Sequence, residues 1–296
     1  MAYWDNRLAA AQDRISQKTA KQIAAKMRKY YKTLAQSTID DFEATYNKLL
    51  ATVTAGQQPT PADLYKLDKY WKMQSVLEQR LKSMNARNYK LMFSMFKLNY
   101  QGVYESLNIP DIELFSTMDE HAIEQVINQI WCADGKSWSQ RLWENSAYLK
   151  QTLEEGLIQC VATGKSPEYL KQMLMERFNV SYNRADVLAR TELAHIQTQA
   201  AQQRYRDYGI QQVELLVEPD ARTCPICEKL SGKRYSINDK MPVPLHPRCR
   251  CCMVPVVDDI KPVVLSEAEK IARQARKLDK KERLKAGQTY KYTPPN

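Results

Sequence analysis

Glycine and long apolar runs are both scarce in this sequence. Only 8 of the 296 residues are glycine, whereas loop-rich proteins use many glycines at turns with positive φ. The apolar runs, such as Val254–Val257, are far shorter than the roughly 20 residues that a membrane-spanning helix requires. Residues 1–5 also lack the charged and apolar segments that open a signal peptide. We therefore expect a mainly helical protein that has no membrane segment and is synthesised in the cytosol.

The familiar catalytic motifs are absent as well. The chain contains no Walker loop, no glycine-rich dinucleotide turn, no serine nucleophile elbow and no His-Glu-x-x-His pattern. Arg190, Glu192 and His195 could form an acid–base cluster on one helix, but no nucleophile accompanies them in the sequence. We expect a protein that is not an enzyme. The alternative is a DNA-processing, nuclease-like enzyme that uses this cluster or a bound metal.

Helical periodicity covers most of the first 209 residues. Apolar residues recur at three- and four-residue steps up to about residue 55, and residues 56–59 break the pattern. Helices are then expected at about 60–85 and 87–107, at 119–131, and beyond. The expected N-caps are Thr60, Ser137, Ser166 and Ser181, and the expected helix-ending glycines are Gly164 and Gly209.

The pattern changes after residue 209. Gln212–Val217 alternates and is rich in β-branched residues, which predicts a strand, and Lys233–Ile237 predicts a weaker one. The fold class is therefore mainly α, with an extended helical N-terminal region followed by a small α+β lobe. We divide the chain into a long-helix region at 1–107, a domain at 108–257 and a basic tail at 258–296. Within that domain, 108–209 is helical and 210–257 forms the lobe.

Five of the seven cysteines lie between residues 224 and 252. Cys224 and Cys227 form a Cys-x-x-Cys turn, and His246 and Cys249 form a His-x-x-Cys turn, with 18 residues between the two turns. Two thiolates from one arm, with an imidazole and a thiolate from the other, match the tetrahedral ligand set of structural zinc. Cys251 is an alternative fourth ligand. Four protein ligands leave no position for an activated water, so the predicted zinc is structural.

A cluster of positive charge lies towards the end of the chain. The formal net charge is +10, and a basic surface attracts polyanions such as nucleic acid. Residues 270–285 contain only two acidic residues, Asp279 and Glu282. We expect this stretch to contact DNA phosphates without sequence preference, through the basic residues Lys270, Arg273, Arg276, Lys277, Lys280, Lys281, Arg283 and Lys285.

Several motifs resemble those of one protein family. The specific ones are Ala189–Glu192, Asp220–Cys227 and His246–Cys251, and weaker ones lie at Tyr3–Arg7 and between Trp131 and Ser166. Together they resemble the Mu F-like head morphogenesis family, the minor head proteins of tailed phages. The chain departs from the family pattern at Cys252, where a polar residue is more usual; we interpret Cys252 as a packing residue.

The resemblance implies a role that composition alone does not suggest. It implies a virion protein inside the capsid near the portal, present in the host cytoplasm during assembly. Its partners would be the portal protein, other head or scaffold proteins, and packaged DNA, and it would act in head assembly and in genome packaging and ejection. A cellular DNA-binding regulator is a further alternative, but the sequence shows no recognition helix for it.

Overall fold

Four long helices dominate the structure, a computed structural model that describes residues 3–54, 57–107, 120–217 and 223–256. None of the helices in these ranges combines the length and apolar character needed to cross a membrane. The mainly α fold with a small lobe is confirmed. The elements in chain order are α1 (Tyr3–Ala51), α2 (Pro61–Tyr65), α3 (Asp68–Ser106), α4 (Glu120–Asn128), α5 (Trp138–Ala162), α6 (Pro167–Asp207), β1 (Gln212–Leu216), α7 (Pro225–Leu230), β2 (Arg234–Ser236) and β3 (Cys252–Pro255).

Local capping chemistry sets three of the helix starts. Thr60 and Asp63 form a capping box at α2, and Ser137 forms one with Gln140 at α5. Ser166 caps α6 by accepting a hydrogen bond from the backbone N–H of Tyr169. These side chains satisfy N–H groups that have no partner within the helix. The predicted N-caps at 60, 137 and 166 are confirmed.

Two predicted helix breaks are wrong. The helix α3 continues through residues 85–87, and α6 continues through Ser181 for 41 residues in all. Ser181 is buried, and its carbonyl accepts a hydrogen bond from the Asn145 side chain at 2.9 Å. Phe178 and Ala185 on either side of it belong to the core. Burial of this helix face outweighs the local preference of serine for a cap. The predicted helix at 119–131 ends earlier, at Asn128.

The long helices share one hydrophobic core. The helix α1 packs on α3 and α6, while α5 packs on α6 and α3. Large side chains from every long helix fill the centre, namely Phe42, Tyr46, Phe96, Trp138 and Tyr205, each less than 2% exposed. The long-helix region at 1–107 and the helical part of the following domain are thus packed together. The core contains side chains from both sides of the boundary that we place between residues 107 and 108.

A three-stranded antiparallel sheet lies against one end of this bundle. Its strand order is β2-β1-β3, so β1 is central, with Val213 opposite both Tyr235 and Pro255. The strands β1 and β2 match the predicted ones. The sequence did not predict β3, because all four of its residues are buried and the alternation that marks a half-exposed strand is missing.

One glutamine joins the start of the chain to the sheet. The Gln12 side-chain amide of α1 donates hydrogen bonds to the Tyr205 hydroxyl of α6 and to the Met253 carbonyl of β3, each at 3.2 Å. Gln12 itself is completely buried. A buried amide that is satisfied on two other elements fixes their relative position, so the lobe is tied to α1 as well as to α6.

The interface around α3 contains buried polar atoms that lack a hydrogen-bonding partner among the described residues. Neither side-chain polar atom of Asn88 has one, although the residue is completely buried. An unsatisfied buried polar group destabilises a fold by about 1–3 kcal/mol. The other residues on α3 with such atoms are Gln74, Asn85 and Asn99.

We expect Asn88→Leu to increase the free energy of unfolding by about 1 kcal/mol, because it removes an unsatisfied amide at nearly constant volume. Urea unfolding monitored by circular dichroism measures the change. Asn145→Leu is the matched control: it removes an amide that does donate, to the Tyr31 hydroxyl and the Ser181 carbonyl, and should destabilise. Equal destabilisation by both substitutions would contradict the assignment.

Candidate metal centre

The first arm of the centre is the start of helix α7. Cys224 is the N-cap residue, and its sulfur accepts a hydrogen bond from the backbone N–H of Cys227 at 3.4 Å. Pro225 occupies the first helical position, where no N–H is needed. This backbone hydrogen bond lowers the pKa of the Cys224 thiol. The helical turn holds Cys224 and Cys227 on the same side of the arm.

The second arm is an extended segment that ends in a tight turn at His246. The backbone N–H of Cys249 donates to the His246 carbonyl at 3.1 Å, and Arg248 has a φ of 60°. The His246 Nδ1 atom lies 2.8 Å from the Pro247 carbonyl. If Nδ1 carries the proton and donates it there, the Nε2 lone pair is free to bind a metal, which is the usual arrangement of histidine ligands.

The predicted ligands meet between the two arms. The Cys227 sulfur lies 3.1 Å from His246 Nε2 and 4.0 Å from the Cys249 sulfur. In a tetrahedral zinc site, bond lengths of about 2.0–2.3 Å place neighbouring donor atoms roughly 3.5–3.8 Å apart. Two groups of donors, each within 4.8 Å, overlap at Cys227: Cys224, Cys227 and His246, and Cys227, Cys249 and Cys251. These residues could hold a metal ion.

The sulfur atoms of Cys249 and Cys251 lie within 4.8 Å of each other. A side-chain hydrogen bond from Cys251 lowers the pKa of the Cys249 thiol to about 5 and raises that of Cys251 itself. Burial raises the pKa of the Cys227 thiol to about 12. The structure therefore brings both candidates for the fourth ligand to the centre. Cys252 is buried in β3.

An ion-pair network docks the centre on helix α6. The Arg248 guanidinium donates to Asp186 at 2.8 Å, and its backbone N–H donates to the Thr191 hydroxyl at 3.2 Å. Arg190 also binds the Asp186 carboxylate through its Nε atom. No local sequence pattern marks Asp186, because only the fold brings it close to residue 248.

A groove of about 1340 Å³ lies beside the metal centre. One face of α6 and residues of α5 line it, together with the segments 129–133 and 238–247. Beside this groove the Trp131 indole stacks on the His195 ring, with centroids 4.5 Å apart and planes 10° apart. The same indole donates a hydrogen bond to the Glu192 carboxylate at 2.8 Å. The Arg141 guanidinium lies 3.7 Å from that carboxylate.

Burial controls the protonation of this cluster. It raises the pKa of Glu192 to about 7, against the opposing effects of the Trp131 hydrogen bond and the Arg141 charge. Burial and the charge of Lys240 lower the pKa of His195 to about 4. His195 Nε2 has no hydrogen-bonding partner in the described part of the chain. A buried imidazole that is stacked on an indole is suited to packing α6 against the 129–133 segment.

The predicted DNA-contact residues, from Lys270 to Lys285, lie outside the described residues. So do the tail at 258–296 and the motif residues 220–222. Their predicted roles remain predictions.

Residues 151–254 match the protein family described as Phage Mu protein F like protein. This segment, about a third of the chain, runs from within α5 to β3 and includes both arms of the metal centre. The match confirms the predicted resemblance to the Mu F-like phage head morphogenesis family.

One curated protein is similar over part of its length. The NAD(+)--arginine ADP-ribosyltransferase EFV of Enterococcus faecalis (strain ATCC 700802 / V583) is 28% identical over 153 residues. The match covers 46% of this chain and 31% of the enterococcal protein. The chain therefore spans about a third of that relative. No solved structure matches the chain.

We expect the purified protein to contain about one zinc ion per chain, measured by elemental analysis, because two arms with soft donors converge at one point. Cys227→Ser should abolish zinc binding and lower the melting temperature. Cys132→Ser, a thiol substitution outside the centre, should leave zinc content unchanged. Comparing Cys249→Ser with Cys251→Ser identifies the fourth ligand. Wild-type protein that is purified without zinc, and whose melting temperature a chelator does not change, would refute the site.

We expect Glu192→Gln to stabilise the protein more at pH 8 than at pH 5, by roughly 2 kcal/mol. A folded-state pKa of about 7, above the ordinary 4.5, means that deprotonation of Glu192 destabilises the fold as the pH rises through this window. His195, whose pKa is lowered, has the opposite effect between about pH 4 and 6.5, so variant and wild type must be compared at each pH.

Denaturant unfolding at both pH values measures this difference. Glu144→Gln, on the exposed wall of the same groove, serves as the control and should show no comparable change. A Glu192→Gln effect of the same size at pH 5 and pH 8 would contradict the raised pKa.

Proposed function

We propose, from the match of residues 151–254 to the family described as Phage Mu protein F like protein, that the protein is a minor head protein of a tailed phage. It is a virion component that lies inside the capsid near the portal, and it is present in the host cytoplasm during assembly. It acts in head assembly and in packaging and ejection of the genome. The observation that carries this proposal is the location of the metal centre within the matched segment.

The metal centre acts as a structural element in this proposal. Zinc is the metal best suited to three cysteines and one histidine, because thiolate and imidazole are its preferred ligands. Four protein ligands close the coordination sphere, which leaves no position for a substrate or an activated water. The zinc therefore stiffens the segment that Arg248 docks on Asp186, and it makes the lobe a rigid extension of α6.

The N-terminal helices supply the surface for protein partners. At the corner between α2 and α3, the side chains of Tyr65 and Trp71 are stacked, with centroids 6.1 Å apart. Tyr65 is 43% exposed and Trp71 is 57% exposed. A hydrogen bond from the Trp71 indole to the Tyr65 carbonyl at 2.9 Å holds the pair in place. Rigid, exposed aromatic side chains are characteristic anchors of protein interfaces. We assign this corner to the portal protein or another head protein.

The basic residues from 270 to 285 supply a second contact, to packaged DNA. Eight positive charges against two negative ones favour phosphate binding that does not depend on base sequence. The protein needs no enzymatic activity for this role.

The rival function is a packaged nuclease-like enzyme. The observation that favours it is the pair of perturbed pKa values of Glu192 and His195 beside a groove. Loss of a nuclease activity on His195→Ala, with the fold retained, would support that rival.

We expect the protein to co-purify with the portal ring when it is co-expressed with the portal protein of the same phage. The double substitution Tyr65→Ala/Trp71→Ala should reduce recovery of the complex at least about tenfold, since aromatic anchors dominate interface energies. The matched control is Trp143→Ala, which removes another exposed tryptophan, 44% exposed, on α5. If the two variants bind the portal equally well, the α2–α3 corner is not the contact, and if wild type fails to bind, the portal assignment is wrong.

A further inference from the structure

The middle of helix α1 has an unusually one-sided charge. Seven basic residues and no acidic ones occupy the stretch between Asp13 and Asp40. All seven side chains are exposed. They are Arg14, Lys18, Lys21, Lys26, Arg28, Lys29 and Lys32.

Six of these residues lie on one side of the helix. At about 100° per residue, all but Lys26 project within an arc of roughly 100°. This stripe, defined here as Arg14, Lys18, Lys21, Arg28, Lys29 and Lys32, is about 27 Å long at 1.5 Å per residue. The opposite side of α1 is buried through Ile23, Met27 and Tyr31. The bundle core therefore fixes which side of the helix faces solvent, and the stripe remains exposed.

Carboxylates of the described residues do not neutralise the charges of the stripe. None of its six residues forms an ion pair with a carboxylate in the ranges that the structure describes, whereas lysines and arginines of α3, α5 and α6 commonly do. The Arg28 guanidinium lies 5.2 Å from the centroid of the Tyr182 ring, which steadies it without cancelling its charge. A surface helix would usually intersperse acidic residues with these cations, since such pairs stabilise it.

We propose that this stripe of α1 binds the phosphate backbone of double-stranded DNA. The inference rests on the proposed function, in which packaged DNA is the polyanion nearby, and it adds a binding surface within the folded part of the chain. A stripe of 27 Å runs alongside about eight base pairs of duplex, and long, exposed lysine side chains adapt to the phosphate positions without reading bases. Binding releases counterions, so the affinity falls steeply with salt.

The test is fluorescence anisotropy with a fluorescein-labelled 20-base-pair duplex of arbitrary sequence, between 50 and 200 mM NaCl, with the full chain. The stripe variant carries Lys18, Lys21, Lys29 and Lys32 each substituted by Gln. The matched control carries the same substitution at four exposed lysines elsewhere, Lys48, Lys72, Lys171 and Lys229. Both variants lose four positive charges. A loss of DNA affinity that occurs only in the stripe variant therefore depends on where the charges lie and not on the net charge. Circular dichroism verifies that both variants fold.

We expect the stripe variant to bind DNA at least about tenfold more weakly than the control at 50 mM NaCl. The slope of log K against log [NaCl], where K is the association constant, should be less negative by about three to four. Equal weakening in both variants overturns the proposal. A stripe variant that binds DNA normally but loses affinity for poly-L-glutamate overturns it as well, in favour of an acidic protein partner.

A third variant separates this inference from the proposed function. In it, the eight basic residues between 270 and 285 are substituted by Gln in the full chain. If only this tail variant loses DNA affinity, the tail contact stands and the α1 inference fails. If only the stripe variant loses affinity, the reverse holds. Wild-type protein without measurable DNA affinity would overturn both DNA contacts, while portal co-purification would still test the head-protein role.

Discussion

The fold depends on the packing of one uninterrupted helix, α6. It is buried against α1, α3 and α5, while Thr191, Arg190 and Asp186 in its middle hold the turn at Arg248. Further along, Gln202 donates to the carbonyls of Ile237 and Asp239. The same rigid rod thus organises the bundle core and the lobe. A break at Ser181, which serine chemistry alone favours, would have separated the two.

The local parts of the fold could be predicted from the sequence because local hydrogen bonds determine them. Thr60, Ser137 and Ser166 cap their helices with side chains only three residues from the N–H groups that they satisfy. The Cys-x-x-Cys and His-x-x-Cys arms likewise indicated a metal centre, because ligand type and spacing are properties of short segments. The predicted helix breaks at Ser181 and at residues 85–87 were wrong, because packing against distant parts of the chain overrides the local preference at these positions.

The features that the sequence did not predict depend on residues far apart in the chain. The strand β3 becomes a strand through pairing with β1, about 40 residues earlier, and its residues show no pattern of their own. The pair of Asp186 with Arg248 has no local signal either. The choice between Cys249 and Cys251 is similar in kind: both sulfurs reach Cys227, and their spacing from His246 does not distinguish them. Beside the groove, burial perturbs an acid and a base in opposite senses, because it raises the pKa of Glu192 and lowers that of His195.

The hydrogen bonds of Gln12 have a consequence for anything attached to this protein. Because its amide joins the start of α1 to Met253 of β3, the polypeptide enters and leaves the described core at the same pole. The aromatic corner at Tyr65 and Trp71 adjoins the opposite end of α1, where Lys69 donates to the Ala44 carbonyl, about 48 Å from Gln12 along the helix axis. A fusion partner joined directly at residue 3 or at residue 256 would therefore lie beside the lobe and leave the corner at the far pole accessible.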